Sequence, residues 1–413
     1  MNSRQAEEYL LGLELFGMRF GLDRMHKLMT VLGMPQRRFA SIHVVGSNGK
    51  SSTVRMIAAI LERHGLRTGS YTSPHLRSFM ERIEVGEEPV GERDFSAAVA
   101  RAAHAAELVD RTAAADDRVT QFEALTAAAY SELARRGVEV AVIEAGLGGR
   151  FDATNVIPSK VQVLTAVGLE HTRWLGPTME DIAGEKLAVV RDHATLVVGE
   201  LDSEAAAVAE RVVEDRHARL IHAAADAGVA LRAPGRFQRR NFALAREAAH
   251  AFLGRPLEQE AVAAAAAEVR VPGRLEVVDE RPLTIHDGAH NPSGAAALAE
   301  SLPDLIGERS PRTLVMSVLE DKDAAGMLRE LLPLFDRAVY TRCENPRSLS
   351  PGTLDTLAAK LGGPLSETVA DPRRAVERAR SLTGPGGAVV ATGSIYLVAD
   401  LVRGETQARA SIL

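Results

Sequence analysis

One segment constrains the fold more than any other. Residues 42–45 (Ile-His-Val-Val) are a short apolar run of strand type, followed by Gly46-Ser47-Asn48-Gly49-Lys50-Ser51-Ser52-Thr53. Behind that loop Val54, Ile57, Ala58 and Leu61 recur at i, i+3, i+4 and i+7, the period of one buried helix face, and Gly65 supplies a stop. The unit reads as strand, glycine loop, helix. Its backbone N–H groups and the positive end of its helix suit an anion, above all a phosphate. Lys50 is placed to reach the β- and γ-phosphates of a nucleotide, and a nearby hydroxyl to bind Mg2+. The longer phosphate-loop pattern needs Gly five residues before Gly49, where Val44 stands, so this is the shortened form G-x-x-G-K-S. A plain turn with an exposed lysine is the alternative; the strand–loop–helix context favours the phosphate.

The alternation continues. Apolar runs at 138–143, 161–167 and 196–198 are separated by helical patterns at 121–136, 181–190 and 203–216. Helical spacing also occupies 4–16 (Tyr9, Leu10, Leu13, Phe16) and 24–32, the latter ended by Pro35. A second series opens at 283–286, with a helix over 294–302 and strands at 313–318, 337–341 and 388–391. Near-continuous apolar strands between helices imply a mostly parallel sheet buried on both faces. The expected class is α/β. A mostly parallel-sheet N-terminal domain with the P-loop, near 1–275, precedes a smaller Rossmann-like α/β C-terminal domain near 283–413. The stretch 271–282, with Pro272, Gly273 and Pro282, reads as the boundary. Ala-rich tracts such as 263–267 read as helix formers.

Composition removes several function classes. In 413 residues, Lys+Arg 49 against Asp+Glu 55 gives a net charge of −6, which does not favour nucleic-acid binding. The single cysteine, Cys343, allows no internal disulfide framework and fits a reducing cytosol; it reads as a packing residue. No apolar run is long enough for a membrane span, and the charged N-terminal segment does not read as a targeting signal.

Four further clusters carry chemistry. Glu144 stands at the end of the run 138–143, where open α/β sheets bind ligands, and is a candidate Mg2+ ligand; a cap or an ion pair is the alternative. The glycines after it do not make a dinucleotide fingerprint, because G-x-G-x-x-G from Gly146 would need Gly where Phe151 stands. Gly168-Leu169-Glu170-His171-Thr172 follows another run and makes His171 a candidate metal ligand or phosphate contact. Ser73, in Tyr71-Thr72-Ser73-Pro74, is either a Mg2+ ligand or part of a simple turn. Asp287 and His290 follow the run 283–286, with Arg274 just upstream; Asp287 suits a ribose hydroxyl or a helix cap, and Arg274 a phosphate. Lys186 reads locally as a surface lysine.

Taken in order, these segments resemble the folylpolyglutamate synthase and dihydrofolate synthase family, a branch of the Mur-type amide ligases. The resemblance runs from Phe20 through IHVVGSNGKSST, YTSPHLRSFMERIEV, TQFEALTAAA, EAGLGGRFDATNV, GLEHT, IAGEK, PGRLE and DGAHNP to GSIYLV. It implies an ATP-dependent ligase joining the carboxylate of dihydropteroate, or the γ-carboxylate of a reduced folate, to the amine of L-glutamate through an acyl phosphate. Asn48, Gly49, Lys50 and Ser51 match the phosphate loop, with Ser52 at the hydroxyl position. Ser73, Glu144 and His171 match the ligands of Mg2+, of which two ions are implied. Lys186 matches a lysine carried as a carbamate. Asn241, Arg274 and Asp287 match nucleotide contacts, and His290 lies near the reaction centre. Thr120, Gln121, Phe122, Glu123, Phe151, Asp152 and Ala153 match the pterin-holding region. A cytoplasmic monomer with ATP in a cleft between its domains is the family-like expectation.

Four departures stand out: Ser51 where the family has Gly, Glu170 where it has Asp, Leu187-Ala188-Val189 after the Glu-Lys pair, and Gly235-Arg236-Phe237-Gln238 before Asn241. They bear on the acceptor acid more than on ATP. Competing readings are a paralogous Mur-type ligase with another acid and amino acid, a non-catalytic ATP-binding protein, and a plain P-loop kinase or ATPase.

Overall fold

The computed structural model describes residues 1–13, 21–114 and 117–403. Phe16 and Phe20 lie outside the described residues. The chain divides into two compact units, one of residues 1–230 and 239–269, the other of residues 231–238 and 270 onward.

The first unit holds eight strands: β1 (Ala40–Val45), β2 (Thr68–Tyr71), β3 (Ile83–Val85), β4 (Glu88–Pro89), β5 (Val140–Glu144), β6 (Val161–Leu164), β7 (Thr195–Val198) and β8 (Arg219–His222). Their order is β4-β3-β2-β5-β1-β6-β7-β8. From β2 to β8 every pairing is parallel, and the β3–β4 hairpin adds an antiparallel edge. The helices are α1 (Ser3–Gly12), α2 (Asp23–Val31), α3 (Lys50–Arg63), α4 (Glu92–Asp110), α5 (Gln121–Arg135), α6 (Thr172–Leu175), α7 (Met179–Leu187) and α8 (Ser203–Asp215). Then follow α9 (Arg236–Leu253), which begins in the segment grouped with the second unit, and α10 (Gln259–Glu268). All five residues of β5 are buried, which is why its sequence is a continuous apolar run closed by Glu144. Its alternate residues Ala141 and Ile143 join the cluster built by α1, α2, α4 and α5, while α3 packs on β1, β2 and β5. A second cluster joins Val45, Leu164 and Val198 to α7 and α8.

The second unit holds β9 (Glu276–Glu280), β10 (Leu283–His286), β11 (Arg312–Met316), β12 (Arg337–Tyr340), β13 (Leu365–Thr368) and β14 (Ala388–Thr392), in the order β13-β12-β11-β14-β10-β9. Only β9 runs antiparallel to its neighbour. Its helices are α11 (Pro292–Ile306), α12 (Ala324–Leu331), α13 (Pro351–Lys360), α14 (Pro372–Thr383) and α15 (Ile395–Val402). The core is aliphatic, with Leu283, Ile285, Leu298, Leu302, Leu314, Met316, Leu328 and Val390.

The differences from the sequence reading have plain causes. Part of the stretch read as boundary is the strand β9, mostly exposed, and so without an apolar signature. The edge strands β8 and β13 lack an apolar signature for the same reason. The run 161–167 is strand only to Leu164, because its last residues turn to meet the glycine loop. The Ala-rich tract is helical, within α10. Among the described residues no helix is long and apolar enough to cross a membrane.

Candidate active site

The strand order of the first unit reverses at β1, which lies between β5 and β6. In open α/β sheets such a switch opens a crevice at the carboxyl ends of the strands. The glycine loop leaves β1 there. Gly46 has φ +149°, and a Cβ on it would lie 2.0 Å from Thr165 Oγ1. Thr165 Oγ1 donates to the Asn48 carbonyl at 2.6 Å, the Ser47 N–H to the Ala166 carbonyl at 2.7 Å, and the Gly168 N–H to Ser47 Oγ at 3.0 Å. The loop is thus stitched to the segment after β6. Gly49, φ +86°, is the N-cap of α3 and supplies no side-chain cap, so the first amides of α3 are left to an incoming group. A Cβ on Gly49 would lie 2.6 Å from Asn241 Oδ1, which brings α9 against the loop.

Lys50 Nζ donates to the carbonyls of Gly46 (2.9 Å) and Ser47 (3.2 Å). Lys186 Nζ, 1% exposed as a residue, donates to the same Gly46 carbonyl at 3.0 Å. The reading of Lys186 as a surface lysine is therefore corrected. α7 turns it inward beside Ile182, Ala183 and Leu187, all buried, and a capping box of Thr178 and Asp181 fixes the start of that helix. Its ammonium lies 3.4 Å from Glu170 Oε1, also buried. Burial pushes the Lys186 amine down to about 8; Glu170 opposes the shift and Lys50 adds to it.

Glu144, at the end of β5, is 2% exposed. Ser51 Oγ donates to its Oε1 at 2.9 Å and the Ser73 N–H to its Oε2 at 3.1 Å. So Glu144 joins the phosphate loop to the turn after β2. The hydroxyl that reaches it belongs to Ser51, the departure from the family pattern, while Ser52 is buried in α3. His171, φ +50°, precedes α6 on the segment that meets the loop. Among the described residues no three His, Cys, Asp or Glu side chains are grouped to hold a metal. The donors here are instead one buried carboxylate and neighbouring hydroxyls, a set suited to Mg2+, which takes few protein carboxylates and completes its shell with phosphate and water.

The residues matched to the pterin region divide in two. Thr120 and Glu123 form the capping box of α5, and Glu123 also accepts from Arg24 Nε at 3.0 and 3.1 Å. Gln121 Nε2 donates to the Leu10 carbonyl at 2.8 Å. These three are buried framework. Phe122 is half-buried against Gly146, where a Cβ would lie 2.6 Å from its Cζ, and Phe151 is 40% exposed. Asp152 accepts from the Leu147 N–H at 2.8 Å and Ala153 opens a short 3-10 turn.

In the second unit Asp287 is buried after β10. Its Oδ1 accepts from the Ala289 N–H at 2.8 Å and its Oδ2 from the Leu275 N–H at 2.9 Å. Asn291, not Asp287, caps α11. Burial raises the Asp287 carboxyl above its ordinary value, opposed by Arg274 and those two amides. Arg274 groups with this unit rather than standing in a linker, and a Cβ on Gly288 would meet its Nη1 at 2.0 Å. His290 Nδ1 lies 3.0 Å from the Gly288 carbonyl. Cys343 is buried packing, as expected. The sequence reading passed over Ser47, Thr165 and Glu170 as site residues. Thr165 carried a signal: it is the polar interruption of an apolar run.

Residues 44–246 match the Mur ligase middle domain and residues 273–395 the glutamate ligase domain of Mur ligases. The dihydrofolate synthase/folylpolyglutamate synthase of Mycobacterium tuberculosis is 34% identical over 413 residues, covering 89% of this chain and 83% of that protein. The Mycobacterium tuberculosis folylpolyglutamate synthase solved in complex with ADP superposes with a TM-score of 0.90 at 33% identity, covering 96% of this chain and 97% of the other. Escherichia coli FolC in complex with DHPP and ADP gives 0.85 at 28% identity, covering 97% and 96%. With a phosphate loop at the sheet's switch point and relatives of this likeness over nearly its full length, the chain belongs to the folylpolyglutamate synthase and dihydrofolate synthase family of ATP-dependent amide ligases.

Proposed function

We propose that this ligase joins L-glutamate to dihydropteroate or to the γ-carboxylate of a reduced folate, and that the residues gathered around Gly46 activate the acid. The observation that carries the reading is that Lys50 and Lys186 converge on the Gly46 carbonyl while Glu144 stands at the phosphate loop and the Ser73 turn. A carboxylate is a poor acylating agent. Its oxygen attacks the γ-phosphorus of ATP, giving an acyl phosphate and ADP; the glutamate amine then attacks the acyl carbon, loses a proton and expels phosphate. Lys50 and the amides of the loop and of α3 oppose the charge on the transferring group. Asn48, Gly49, Ser51, Ser52 and Asn241 form the loop side of the nucleotide site, Arg274 and Asp287 are nucleotide contacts of the second unit, and His290 serves near the reacting carboxyl. Phe122, Phe151 and Ala153 hold the pterin, with Thr120, Gln121, Glu123 and Asp152 as their frame.

Glu144, Ser73 and His171 are the residues to hold Mg2+, which when bound neutralises phosphate charge. We further propose that the Lys186 amine adds CO2, losing one proton to become a carbamate that helps hold a second Mg2+. Burial, which pushes the Lys186 amine down to about 8, raises the share of neutral amine this needs. The two compact units are then an ATP-binding domain and a glutamate ligase domain, in a cytoplasmic monomer.

Product analysis tests the reading. ADP and phosphate should form only when both L-glutamate and dihydropteroate or a reduced folate are present. Turnover without an amine would make this an ATPase; turnover with other acids only would make it a paralogous ligase. Glu144→Gln should shift the Mg2+ titration and lower the rate together. Wild-type protein depleted of CO2 should lose activity and regain it with bicarbonate, while Lys186→Ala should not respond to bicarbonate.

A further inference from the structure

His43 sits in the middle of β1, fully buried, three residues before the glycine loop. Its Nε2 lies 2.8 Å from Thr154 Oγ1. That hydroxyl in turn donates to Asp152 Oδ1. A hydroxyl has one proton to give. Because Thr154 spends it on Asp152, its oxygen accepts from His43, which fixes the imidazole as the neutral Nε2–H tautomer. Burial agrees, pushing the His43 ring down to about 3. The cost is visible on the other side of the ring, where Nδ1 has no hydrogen-bond partner among the described residues. Leaving a buried acceptor unpaired is unfavourable, so what the histidine contributes lies in the bond its Nε2 makes.

At the far end of this chain Asp152 gathers the glycine-rich turn. Its Oδ1 also accepts from the Thr154 N–H at 3.0 Å, and its carboxylate takes the Leu147 N–H at 2.8 Å and the Gly146 N–H. One carboxylate thus holds both ends of residues 146–154, the turn that carries Phe151 and Ala153 and lays Gly146 against Phe122. Tyr130 Oη adds a bond to the Thr154 carbonyl at 3.0 Å.

We propose that His43 and Thr154 are positioning residues for the acid substrate. Acting through Asp152, they lock the 146–154 turn in the shape that receives the pterin. Neither side chain is exposed to touch a ligand, and His43 reaches the turn from the sheet interior. This inference rests on the reading that Phe122, Phe151 and Ala153 hold the acid.

Thr154→Val tests it, because valine keeps the shape and removes the hydroxyl. A hydrogen bond contributes about 0.5–1.5 kcal/mol net, and 1.4 kcal/mol is tenfold in affinity, so the KM for the acid should rise about 2- to 12-fold. The KM values for ATP and L-glutamate should stay within about twofold, and Thr154→Ser should restore the acid KM. His43→Gln, which can offer an N–H at similar reach, should retain more acid affinity than His43→Leu. Long-range 15N–1H NMR on the intact protein should report the Nε2–H tautomer. An Nδ1–H tautomer would overturn the proposal. So would a folded Thr154→Val protein whose three KM values are unchanged or rise together. Phe151→Ala separates the two layers. If it leaves the acid KM unchanged, the placement of the acid fails; if it raises that KM while Thr154→Val does not, the positioning chain fails.

Discussion

Two strand-to-helix turns of this molecule begin alike and end differently. After β1 the chain enters α3 through Gly49, which offers no cap, and Lys50 turns its ammonium to the carbonyls of Gly46 and Ser47. After β10 it enters α11 through Asn291, whose Oδ1 accepts from the Gly294 N–H at 2.8 Å, and the Asp287 carboxylate is taken up by two backbone amides. The difference teaches where each turn spends its polar groups. Helix amides satisfied from within give stability; amides without a side-chain cap, beside a lysine held to the loop, suit an incoming anion.

The comparison breaks first at Lys50. Lys50→Ala should lower kcat/KM by at least about 10²-fold, the scale of losing one preorganised charge contact at a reacting group, with an unchanged circular dichroism spectrum. Appreciable activity would remove the loop from the chemistry. Next comes Gly49→Ala, which needs an L side chain at φ +86° and a Cβ 2.6 Å from Asn241 Oδ1. Strain of about 1–3 kcal/mol predicts an ATP KM raised roughly 5- to 150-fold. An unchanged ATP KM would show that this turn tolerates what its geometry forbids.

Asp287 gives a pH test of the second turn. Its folded carboxyl is raised above the ordinary 3.8, so the folded chain binds that proton more tightly than the unfolded chain. Its contribution to stability is then present at low pH and lost as pH rises from 3.8 through the raised value. Asp287→Asn should flatten that loss in thermal melts across acid pH, and an identical pH profile would refute the assignment. The smallest effect belongs to Asn291→Ala, about 1 kcal/mol of stability with the ATP KM unchanged. A large activity loss there would mean that the capped turn serves the reaction as directly as the uncapped one.

How much was legible follows burial. β1, β5 and β7 could be read because their residues are buried and apolar, whereas β8, β9 and β13 carry exposed polar residues at sheet edges. The glycine loop could be read because its conformation demands glycine at 46 and 49. Lys186 could not. Its neighbours along the helix describe an ordinary amphipathic surface, and only the packing of α7 beside Gly46 turns its ammonium inward. Thr120, Gln121 and Glu123 stand out in the sequence as part of a motif segment, and their side chains build a helix cap and tie down α5.

The sequence by itself determined the alternation of buried strands with helices, the glycine loop between β1 and α3, and the family, because periodicity, glycine and ordered motifs are local or linear properties. Tertiary structure alone decided which polar side chains meet: two lysines on one carbonyl, Glu144 between Ser51 and Ser73, and His43 behind Thr154 and Asp152. The contacts of Lys186 with Gly46, of Glu144 with Ser51 and Ser73, and of His43 with Thr154 join residues far apart in the chain. Their energetics depend on burial, which appears only when the sheet has brought its strand ends together.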